Sequence, residues 1–235
     1  MSFVPLPSTT TEPVPRAGFS LPRDIVINPM RAFSKIAATH EWLPASVVIV
    51  VLSILTALLI APAVLHVAAV TPPPAGDVVP HTQAALATAR RSLVSELALR
   101  EIMTPLLVVL LTASALTTVA RFKAQATSYV TFVALAANCM IPAALGDLAS
   151  GLAIRLHAPA SYANLHALII AFPTSLAIFA NAANDAEVSF LSRFDLFSVW
   201  SSILLAFGFT TLTPVKFTTA LALAFGLNFL FAVMF

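Results

Sequence analysis

LPASVVIVVLSILTALLIAPAVLHVAAV, residues 43–70, contains no Asp, Glu, Lys or Arg. As an α-helix rising 1.5 Å per residue it would run about 42 Å, more than the roughly 30 Å hydrocarbon core of a bilayer. The stretch therefore reads as a membrane-spanning helix that either tilts or ends near Pro62 and His66. The whole chain has the same character, with 59% hydrophobic residues, 9% charged residues and a mean hydropathy of +0.95. A soluble domain carries about 25% charged residues. Too little charge is present to cover a water-facing surface, and a net charge of +2 gives no footing for nucleic acid.

Working outward from that span, the N-terminal side divides in two. Residues 1–23 hold Pro5, Pro7, Pro13, Pro15 and Pro22 among serines and threonines, which predicts an extended tail. Residues 24–42 predict an amphipathic interfacial helix. Asn28 can cap it, Pro29 suits its first position, and Met30, Phe33, Ile36 and Ala37 recur at helical spacing. Met30, Arg31, Phe33, Lys35 and Trp42 are the residues expected to anchor the chain at the interface, bases toward phosphate and tryptophan at the boundary. Some forty residues precede the first long apolar run, so that span is expected to act as its own uncleaved insertion signal.

On the C-terminal side, residues 43–235 read as one helical bundle. A proline-rich linker at 71–80 precedes an amphipathic helix over about 81–100. Spans are then predicted over about 102–120, 126–145, 164–183 with Pro173 inside, 195–212 and 216–235, with a loop at 146–163. The fold class is thus all-α, a polytopic transmembrane bundle of about six segments, or five if the Pro173 stretch does not cross. With six, seven Lys and Arg lie on the N-terminal side and five opposite, which points to a cytoplasmic N-terminus.

Chemical signatures are sparse. The sequence has no zinc-protease pattern, nucleophile elbow, phosphate-binding glycine loop or clustered Cys/His set, so no catalytic residue, metal or cofactor is expected. Asp147, Asp185 and Asp195 all fall at predicted span ends, which speaks against an ion-coupled transporter. Asn138, Asn181 and Thr117 would line a water path if one existed; otherwise such groups bond between helices or to their own carbonyls. The densest constellation is Phe194, Asp195, Phe197 and Trp200. Asp195 can cap a helix, and the aromatics form a stripe expected to contact a partner or lipid.

Three segments together resemble a known family: Asn28-Pro29-Met30-Arg31-Ala32-Phe33 before Trp42-Leu43-Pro44, Arg121-Phe122-Lys123-Ala124-Gln125-Ala126 before a span, and Phe194-Asp195-Leu196-Phe197-Ser198-Val199-Trp200 opening another. Residues 24–235 resemble the bacterial branch of the Yip family, relatives of the Rab-GTPase-interacting membrane proteins of the secretory pathway. The resemblance implies a multi-spanning, non-enzymatic protein concerned with membrane shape or traffic. The short tail lacks the family's acidic-aromatic cytoplasmic motif, which counts against a small-GTPase partner. The expectation is a non-catalytic scaffold or accessory subunit of the bacterial inner membrane, with lipid and other membrane proteins, or its own copies, as partners. The alternative is a channel or transporter for a neutral or lipid-like solute.

Overall fold

The computed structural model describes residues 18–70, 83–123, 127–162, 167–168, 175–180 and 184–234. They fold as helices, with one isolated antiparallel bridge between Ser175 and Asp195. Most of the predicted tail, the 71–80 linker, Pro173, Asn181 and His166 lie outside the described residues.

Helix α1, Ser20–Ile27, begins within the segment read as tail, and α2, Pro29–Thr39, follows at once. The start of α2 follows its residues: Asn28 Oδ1 accepts from the Arg31 amide at 3.3 Å, and Pro29, lacking an N–H, takes the first position. Its end is set at His40, the one described non-glycine residue with positive φ, 54°. His40 Nδ1 meets Thr131 Oγ1 at 2.8 Å, a tie that offsets the cost of the left-handed backbone. Asp24 and Lys35 join α1 to α2 at 2.5 Å. The Lys35 ammonium holds the Asp24 carboxyl below its ordinary 3.8, against the opposing effect of burial.

The spanning helices are α3, Leu43–Val70; α4, Gln83–Phe122; α5, Tyr129–Cys139, continued by α6, Ile141–Leu156; α8, Leu196–Leu212; and α9, Phe217–Met234, with the short α7, Asp185–Leu191, before α8. Four described segments are long and apolar enough to cross a membrane, the α5–α6 pair counting as one, and α8 is a shorter apolar helix. Among the described residues, α8 is thus a fifth apolar helix beside four of spanning length. The stretch 164–183 is mostly outside them, and its described part contains a 3₁₀ turn, Leu176–Phe179.

Packing follows membrane rather than soluble logic. The buried stripe of α3 is Ala45, Ser46, Ile49, Ser53, Thr56, Ala57, Ala63 and Val67, mostly small, while Val47, Val51, Leu55 and Leu58 face outward. Small side chains let backbones approach, and lipid accepts the bulky ones. α5 lies at the centre, buried from Thr131 to Cys139, with Phe132 against Phe209 of α8. α9 packs on α8 and buries only Ala220 and Ala224.

Two expectations differ from the fold. Residues 83–122 form one continuous helix, not an amphipathic helix followed by a separate span. Residues 141–156 are helix, where a loop was expected at 146–163. Gly146 and Gly151, read as loop signals, are close-approach points instead: a Cβ at Gly146 would lie 2.7 Å from the Phe197 ring.

Candidate functional site: a polar cleft inside the bundle

The break between α5 and α6 shapes the interior. Pro142 has no N–H to continue the ladder, so the helix bends at Met140. The Ala143 amide donates instead to Ser201 Oγ of α8 at 3.1 Å. This cross-helix bond pins the bend. Beside it lies a cleft of about 550 Å³ walled by α3, α4, α6, α8 and α9. Pockets that hold small molecules run from about 300 to 1,000 Å³.

The cleft is amphipathic along its length. Its lining on the α8 segment runs from Asp195 to Leu205, roughly 15 Å at helical rise. Arg100 and Glu101 of α4, Asp147 of α6, and Arg193 and Asp195 before α8 gather at one end. Glu101, Asp195 and Arg193 are the electrostatic neighbours of Asp147. Farther along, Ser201, Ser202 and Thr112 are set among Ile49, Leu205 and Ala224.

Each carboxylate is placed by a local cause. Asp195 caps α8 in a capping box: its Oδ1 accepts from the Ser198 amide at 2.6 Å, while Ser198 Oγ accepts from the Asp195 amide at 3.0 Å. Asp147 follows Gly146, whose missing side chain lets α6 close onto Phe197 and brings the carboxylate to the cleft. Glu101 precedes Pro105 by one turn, so its backbone carbonyl lacks the usual helical donor. Asp147 and Glu101 have no hydrogen bond or ion pair among the described residues. Both lie on helices of spanning length and line the cleft. Carboxylates on such helices are retained where they line a polar cavity. Asp147, expected at a span end, instead falls inside α6, which continues through the glycines.

The water path expected from Asn138, Asn181 and Thr117 is not where the cleft lies. Asn138 is fully buried and donates to the Ala134 carbonyl at 2.8 Å, while Thr117 bonds the Ala113 carbonyl at 2.7 Å. Asn181 lies outside the described residues. The aromatic stripe is dispersed, since residues three apart on a helix diverge by roughly 60°. Phe194 stacks near Phe190 and Phe229, Phe197 covers Gly146, and Trp200, 42% exposed, faces outward. Asp195 lines the cleft.

The anchoring set divides similarly. Met30, Arg31 and Trp42 are exposed, but Phe33 is in the core beside Gly208, and Lys35 is drawn onto Asp24. The apolar face of α2 is covered by α5 and α8 rather than by lipid alone. Arg100, Glu101 and Asp147 were missed because each sat at a predicted boundary; Pro105, one turn after Glu101, was the available signal.

Residues 23–235 match the family model described as the Yip1 domain. No curated protein and no solved structure matches the chain. With nearly its whole length covered by that match and its described residues folded as an apolar helical bundle, this multi-pass membrane protein belongs to the Yip family.

Proposed function

We propose that this protein is a non-catalytic accessory subunit of a bacterial inner membrane, its N-terminus cytoplasmic, that holds a lipid-like amphiphile in the cleft between α3, α4, α6, α8 and α9. The observation that carries the reading is the cleft's composition, charged at one end and mixed hydroxyl and apolar along the rest. A head group needs the first and a tail tolerates the second. The sequence lacks any recognised nucleophile or metal motif, so binding and presentation, rather than chemistry, is the role that remains. Partners are then lipid and neighbouring membrane proteins, with Trp200 and the open side of α9 as lateral surfaces.

The test is lipid retention. The full chain is purified in mild detergent, and retained lipid is quantified by mass spectrometry for the wild type and Ser150→Trp, which places a ring in the cleft. Loss of a defined lipid from the variant is expected. Equal retention would sink the reading.

A second reading, a transporter for a lipid-like solute, is favoured by Asp147 and Glu101 lying inside spanning helices. It predicts flux of labelled lipid across proteoliposomes, which an accessory subunit does not produce.

A further inference from the structure

We propose that the charged end of the cleft recognises a primary ammonium group carried on an apolar body. The inference rests on the reading of the cleft as an amphiphile site and names the chemistry that the site selects.

Two acceptor groups of the lining lack a donor. Asp147 and Glu101 carry acceptor oxygens with no hydrogen bond or ion pair among the described residues, and Pro105 leaves the Glu101 carbonyl without its helical donor. Three carboxylates, Glu101, Asp147 and Asp195, share the lining with the guanidiniums of Arg100 and Arg193. An anionic head would bring further acceptors to Asp147 and Glu101 and no donor. A separate observation comes from α3. Thr56 is 4% exposed, its Oγ1 has no hydrogen-bond partner, and it lines the same cleft. It packs against Gly151, one turn along α6 from Asp147. A buried hydroxyl without a partner is uncommon and calls for one.

A primary ammonium supplies what these groups lack: one positive charge and three N–H donors. Charge-assisted bonds to Asp147 and Glu101 use two, and the third is left for another acceptor of the lining, such as Thr56. The apolar body then lies along Val108, Leu205 and Leu227. The group could belong to an aminophospholipid head or to a free amphiphilic amine.

The experiment is native mass spectrometry of the full chain, titrated with phosphatidylethanolamine, phosphatidylcholine and phosphatidylglycerol of identical acyl chains, and with dodecylamine. Phosphatidylcholine keeps the charge but has no N–H. Phosphatidylethanolamine or dodecylamine should bind at least about tenfold tighter than phosphatidylglycerol and phosphatidylcholine, the scale of one charge-assisted bond. Asp147→Asn and Glu101→Gln should each reduce that preference severalfold without lowering the melting temperature, since each removes a charge from the bundle interior. Binding of dodecylamine alone assigns the cleft to a free amine, and of phosphatidylethanolamine alone to a lipid head.

Equal binding of phosphatidylglycerol and phosphatidylethanolamine, or preference unchanged in both variants, overturns the proposal. Ser150→Trp separates the two levels. If it binds every probe as the wild type does, the cleft is not the site and the functional reading falls too. If it loses binding while Asp147→Asn keeps the preference, only the ammonium assignment falls.

Discussion

Replacing Gly146 by alanine should loosen the contact that places Asp147, and a paired substitution isolates the cost. A Cβ at 146 would meet the Phe197 ring atoms at 2.7 Å and the Phe197 Cβ at 2.8 Å. Carbon atoms rest at about 3.5–4.0 Å, so α6 and α8 must part by roughly 1 Å. Phe197 cannot swing clear cheaply, because its own Cβ is among the atoms met. Overpacking of this kind costs about 1–3 kcal/mol. Against it stands the gain of about 1 kcal/mol when alanine replaces glycine inside a helix. Gly226 of α9 offers the control: a Cβ there meets nothing within 4 Å, so Gly226→Ala collects the propensity term alone. The difference between the two variants is therefore the steric term, about 1–3 kcal/mol. At about 2–4 °C per kcal/mol for a chain of this size, thermal unfolding in detergent should separate them by several degrees, Gly226→Ala the higher. Equal melting temperatures would refute the close approach of α6 and α8.

Four further outcomes follow from the same geometry. The Lys35 bond lowers the Asp24 pKa, so the α1–α2 link contributes fully above about pH 4 and is lost as pH falls through the lower folded value; Lys35→Met should abolish that acid-sensitive step in thermal stability measured against pH. Ser201→Ala should strand the Ala143 amide at the bend, costing about 1–3 kcal/mol and speeding hydrogen exchange there; unchanged exchange would mean that the bend is not pinned. Trp200→Ala should weaken lateral association by about 1–3 kcal/mol, measured by energy transfer between labelled copies, with Asp195→Asn milder because asparagine still caps α8. With α3, α4, α5–α6, α8 and α9 crossing, reporter fusions at the two ends should signal from opposite faces; signals from one face would mean that residues 164–183 cross as well.

Much of the scaffold could be read in advance where a local physical cause acts alone. The start of α3, the Asn28–Pro29 start of α2 and the Asp195 cap each depend on a few neighbouring residues, and each stands as read; α3 runs on through Pro62 to Val70, the first of the two courses open to it. The site was less legible because it depends on what lies opposite. Gly146 breaks an isolated helix but serves a packed one, and only Phe197 across the gap tells the two apart. The spacing of Phe33 and Ile36 defines a face of α2 without saying whether lipid or protein will cover it. For Asp147 and Glu101, the same boundary position that made them look peripheral placed them against α8.

α4 is a single rod of 40 residues, about 60 Å long, twice the thickness of the hydrocarbon core. Its one proline, Pro105, lies beside the cleft and gives the rod a natural pivot. The arm from Pro105 back to Gln83 measures roughly 33 Å, so a tilt of about 10° at the pivot would carry its tip about 6 Å. A shift at Glu101, one turn from the pivot, is thereby magnified several-fold at the tip of the arm.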